Sequence, residues 1–106
     1  MAWIYLLFAG LFEMGWPLGF KLAQTMPKYH YLFILVAVIS MGISGYLLFI
    51  AQKTIPIGTA YAVWTGIGAI GTLTMGIIFF HDSASFFRLL SAFLIVLGII
   101  GLKLAH

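Results

Sequence analysis

Cysteine is absent from the 106 residues, so the chain has no disulfide framework, no thiolate metal site and no thiol nucleophile. Charge is nearly absent as well. Five Lys and Arg stand against two acids, so 7% of residues are charged, where a soluble domain carries about a quarter. With 64% hydrophobic residues and a mean hydropathy of +1.20, this composition excludes a soluble globular enzyme, a disordered tail and a secreted disulfide module. The net charge of +3 is scattered over segment ends and forms no basic patch of the kind that binds nucleic acid. No metal or cofactor is expected.

Long apolar runs are what the chain has instead. A membrane-spanning helix needs about 20 such residues, and four of them use about 80, leaving only short connections. The reading is an all-α membrane protein: a single transmembrane domain over residues 1–106, with helices at about 3–22, 31–51, 57–80 and 86–104. Unpaired backbone groups cost too much in lipid for other spanning structures, and the ten-residue alternation of a β-barrel is missing. The first run starts at residue 2, lacks a basic n-region and carries an acid, so it reads as a permanent helix and not a cleaved leader. The breaks are Gln24 to His30, Gln52 to Pro56 and His81 to Ser85. Pro56 suits a helix start, and the Asp and Ser residues of the third break suit N-caps. His81 and His106 read as solvated ends.

The basic residues barely choose an orientation. Lys53 and Lys103 fall on one side, and Lys21, Lys28 and Arg88 on the other. Both a single orientation and insertion both ways, with antiparallel pairing, fit that balance.

Glu13 is the only acid inside a span. At mid-bilayer depth it costs about 2.5–3.5 kcal/mol on insertion scales, and such residues face a cavity or a partner. A protonated Glu13 bonded to a neighbouring helix is one reading. A proton- or cation-binding carboxylate is the favoured one, because helix assembly needs no mid-membrane acid. Gly10, Trp16, Pro17 and Phe20 share its face by helical spacing. Trp16 is too deep for the interfacial belt that suits Trp3, Tyr29 and Tyr31. It either packs as bulk or offers Glu13 an N–H and a cation its ring face.

The third run carries Tyr61 and Trp64 on one face, continued by Gly68, Gly71 and Met75. Gly66 and Gly68 suit tight packing or a bend. In the second run Ser44 is placed to bond a carboxylate or its own i−4 carbonyl. In the fourth, Ser91 and Gly98 form a small-residue stripe that favours a helix–helix contact, and Lys103 reads as a snorkelling anchor.

Taken together, these residues resemble the small multidrug resistance family, in particular its guanidinium-exporter branch. The match runs over the whole chain: Met1-Ala2-Trp3, Glu13 with Trp16, the nearly unbroken run from Lys53 to Ala69, and Gly98 to Lys103. The resemblance implies an antiparallel, dual-topology homodimer in a bacterial inner membrane. It implies one shared site with both copies of Glu13, lined by Trp16, Ser44, Tyr61 and Trp64. It also implies a bend at Gly66 and Gly68, and a dimer contact through Ser91 and Gly98. The activity it implies is proton-coupled export of guanidinium-type cations by alternating access, with protons and cation competing for Glu13. Small quaternary ammonium ions are the alternative cargo, read by aromatic faces because they have no N–H to donate. A non-transporting membrane subunit and an ion channel are the rivals. The sequence departs from the family pattern at Pro17 and in the third loop, where His81-Asp82 stands in place of the usual Lys/Gly-Glu pair; that loop is expected to be peripheral.

Overall fold

A computed structural model describes residues 1–105; His106 lies outside the described residues. The chain forms helices α1 (Ala2–Glu13), α2 (Gly15–Thr25), α3 (His30–Ala51), α4 (Ile57–Phe79) and α5 (Phe86–Ala105), with one 3₁₀ turn at Pro27–Tyr29. Four candidate membrane spans result among the described residues, because α1 and α2 together make the first, Ala2–Thr25.

The first span is interrupted at Met14, one residue past the acid. Proline explains the position. Residue 17 would give its N–H to the Glu13 carbonyl, and Pro17 has none to give. The next bond, from Leu18 N–H to the Met14 carbonyl at 3.2 Å, restores the ladder.

Prolines also punctuate the connections. Met26 precedes Pro27 and takes φ −126°, ψ 77°, outside the helical region that a following proline disfavours, and α2 ends there. Pro56 caps α4 from outside at φ −54°, ψ 141°, and its carbonyl accepts the Ala60 N–H at 2.9 Å. At the start of α5 the cap is Ser85, whose Oγ accepts from the Arg88 N–H at 3.4 Å; Asp82 is used elsewhere.

The spans lie side by side in a slab 46 × 34 × 17 Å. α1 and α2 pack on α3, α1 packs on α4, and α4 packs on α5. α5 approaches only α4 closely, although Lys103 reaches across to the Trp3 ring, 5.6 Å from its centroid. Between apolar helices in lipid, small residues and side-chain hydrogen bonds hold the contacts. Gly19 lies against Ala37 and the Phe33 carbonyl, and Gly10 against Ile67. The core is correspondingly small: Leu6, Ala51, Ile55, Ala60 and Val63, flanked by Trp3, Leu48, Trp64, Ile67 and Ile99. None of α5 is buried.

Candidate functional site

Glu13 ends α1 at the interruption, half-buried, and its carboxylate accepts a hydrogen bond from the Trp16 indole Nε1–H. The spacing that put the two residues on one face therefore brings them into contact. Trp16 is held in turn by an edge-on contact with Phe20, 5.8 Å between ring centroids. Across from Glu13, α4 presents the bare backbone of the buried Gly68. A Cβ there would lie 2.6 Å from Glu13 Cγ and 3.0 Å from Glu13 Cβ, so the glycine makes the space that the acid occupies. The space opens into a cavity of about 450 Å³ between the first span and α4. Glu13, Trp16 and Pro17 form one wall, and Thr65, Gly68, Ala69, Thr72 and Leu73 the other. Asp82 from the third connection completes the lining.

Ser44, Tyr61 and Trp64 form a separate cluster. Ser44 is fully buried and donates to the Ala9 carbonyl at 2.6 Å, while accepting from Trp64 Nε1–H at 2.8 Å. It thus bonds neither the carboxylate nor its own i−4 carbonyl. Its partner is a backbone group one helical turn before Glu13, so α3, α1 and α4 are pinned together at that level. The Trp64 indole N–H is occupied by this bond, which leaves only its ring face for other contacts. Tyr61 leans on that ring at 5.6 Å between centroids and is 59% exposed. Within a single chain, Tyr61, Trp64 and Ser44 do not line the Glu13 cavity.

The two glycines of α4 serve contacts on different sides. Gly66 faces α5, where a Cβ would lie 2.9 Å from Ile99 Cδ1, and Gly68 faces Glu13. α4 runs as one helix through both. Ser91 and Gly98 sit exposed on α5; the Ser91 hydroxyl donates to the Phe87 carbonyl of its own helix at 2.7 Å, and among the described residues a Cβ at Gly98 would meet no other part of the chain within 4 Å.

Sequence reasoning missed Thr65, Thr72 and Asp82 as cavity residues. Thr65, Gly68, Ala69 and Thr72 follow the i, i+3, i+4, i+7 spacing of one helical face, so that signal was available. The carboxylate, the threonine hydroxyls and the indole suit a small cation with N–H donors: the oxygens accept, and the aromatic ring faces positive charge.

Comparison with known proteins decides the lineage. The family model described as "Small Multidrug Resistance protein" matches residues 1–95. The chain belongs to the small multidrug resistance family. This is a family of membrane transporters, so the chain is a multi-pass membrane protein and not an enzyme. It is 49% identical to a protein of Yersinia pseudotuberculosis named "Guanidinium exporter" over 105 residues, covering 99% of both chains. A protein of Proteus vulgaris with the same name is 49% identical over 107 residues and also covered to 99% on both sides. One from Salmonella typhimurium, again of that name, is 50% identical over 109 residues, covering 99% of this chain and 98% of the relative.

Proposed function

We propose that this small multidrug resistance protein exports guanidinium-type cations from the bacterial cytoplasm across the inner membrane, in exchange for protons. The observation that carries the reading is the Glu13 carboxylate, placed at mid-span, bonded by Trp16 and opening on a cavity with threonine hydroxyls. The name carried by its relatives supports the cargo.

In this reading the deprotonated Glu13 binds the cation. A guanidinium is planar and gives parallel N–H bonds to a carboxylate, as an Arg side chain does. Trp16 orients the carboxylate by donating to one oxygen, and Thr65 or Thr72 accepts N–H groups that the carboxylate cannot reach. A proton needs the same oxygens, so proton and cation exclude one another.

The functional unit is an antiparallel homodimer in which two copies of Glu13 share one site. In it the exposed Tyr61, with Trp64 and Ser44 behind it, lines the chamber beside the acid. Ser91 and Gly98 on α5 make the dimer contact. α4 bends at Gly66 and Gly68 as the site alternates between the two faces of the membrane. Two protons entering per monovalent cation leaving move one net charge inward, worth about 2.3 kcal/mol per 100 mV.

The test is electrical current from proteoliposomes on rapid addition of guanidinium or a small tetraalkylammonium ion. Guanidinium currents that vanish in Glu13→Gln support the proposal. Currents with the tetraalkylammonium ion alone keep the exchange and change the cargo. Guanidinium currents that persist in Glu13→Gln overturn the role of the acid.

A further inference from the structure

The third connection is not peripheral. α4 ends at Phe79, and His81 then takes φ 59°, in the left-handed region that His adopts more readily than most side-chain-bearing residues. The chain reverses there. The Asp82 N–H donates to the Gly76 carbonyl at 3.0 Å, the same acceptor that the Phe80 N–H uses at 3.0 Å. The Asp82 carboxylate consequently lies on the bare backbone of the buried Gly76, in space that a Cβ at that position would fill. From that seat it lines the Glu13 cavity and also an adjoining hollow of about 240 Å³ that holds Lys21. Pro17, Thr72 and Asp82 line both, so the two spaces are neighbours that share a wall. Glu13 is half-buried and Asp82 exposed, so Asp82 is the more accessible of the two carboxylates that line the cavity.

We propose that Asp82 is a cation-capturing residue of the transport path: it collects the guanidinium-type cation at the cavity mouth and delivers it past Thr72 to Glu13. This rests on the function proposed above. An acid at the mouth raises the local concentration of cations and speeds their capture, an effect that salt weakens. The carboxylate is required here for its charge, whereas its N–H alone would suffice to terminate α4.

The test compares wild type, Asp82→Asn, Asp82→Glu and Gly76→Ala in proteoliposomes, measuring guanidinium-evoked currents over a concentration series at low and high ionic strength. Gly76→Ala displaces the carboxylate by its flexible end and leaves the acid in the sequence. In Asp82→Asn and Gly76→Ala the apparent KM for guanidinium rises about two- to fivefold at low salt, the range that the loss of an exposed charge pair allows. The maximum current stays within about twofold, the salt dependence of KM flattens, and Asp82→Glu stays near wild type. An unchanged KM in Asp82→Asn, or a lost maximum current at unchanged KM, overturns the proposal and leaves Asp82 as a helix terminator. A wild-type protein that gives no guanidinium response while Glu13-dependent exchange of another cation persists overturns the cargo reading, and this inference with it.

Discussion

Gly68→Ala is the sharpest probe of the site, because it puts one methyl group in place of a hydrogen at the point where α4 meets the acid. The new Cβ would stand 2.6 Å from Glu13 Cγ. Ordinary carbon contacts begin near 3.4 Å, so Cγ must retreat by about 0.8 Å. The contact to Glu13 Cβ, at 3.0 Å, lies on the backbone side, so rotation about χ1 alone does not relieve it and the first span must shift. Alanine is the better helix former by about 1 kcal/mol, and overpacking costs about 1–3 kcal/mol, so the net loss of fold stability is about 0–2 kcal/mol. Function has no such partial offset. A displacement of about 1 Å at a reacting group costs about 100-fold, so guanidinium transport at sub-saturating concentration falls by about two orders of magnitude. Gly58→Ala, in the same helix with nothing within 4 Å, is the control and keeps wild-type transport. The assay is uptake of labelled guanidinium into proteoliposomes, with size-exclusion profiles and helical content checked in parallel. Gly68→Ala transporting within about threefold of wild type, with its fold intact, would refute the placement of Glu13 against α4.

The remaining predictions concern the two indoles. Trp16→Phe keeps the ring and removes the N–H that orients the Glu13 carboxylate, so the KM for guanidinium rises, by at most about the tenfold that the loss of a bond worth about 1.5 kcal/mol allows, as read from concentration-dependent currents. Ser44→Ala leaves the Trp64 N–H and the Ala9 carbonyl without their shared partner at a buried position, and costs about 1–3 kcal/mol, read as a lower melting temperature in detergent. Adding Trp64→Phe to Ser44→Ala costs less than the two single changes summed, because the orphaned donor is then gone; strictly additive losses would show that the Trp64–Ser44 bond contributes nothing.

Much of this was legible in the sequence because lipid restricts the choices. Four apolar runs separated by Pro and polar residues place the spans to within a few residues, since the backbone has no alternative to the helix there. Helical spacing alone joined Glu13 to Trp16 and paired Tyr61 with Trp64. The interruption at Met14 was foreshadowed by Pro17. What the sequence left open depends on register between spans. Whether Ser44 meets a carboxylate, its own helix or α1 is set by how far α3 is slid along the first span, and no local pattern encodes that offset. Asp82 was hidden for a different reason. Its position hinges on one left-handed residue, His81, and on a glycine six positions earlier, a pairing visible only once the loop has turned back.

The central claim is that proton and cation exchange through the same carboxylate. The direct measurement loads proteoliposomes with guanidinium and a pH-sensitive dye, then dilutes them into guanidinium-free buffer of the same pH. The account predicts that guanidinium efflux draws protons inward, so the lumen acidifies in wild type and stays at its starting pH in Glu13→Gln. Guanidinium efflux with no lumenal pH change, under conditions where charge is compensated, or acidification that survives in Glu13→Gln, would contradict it.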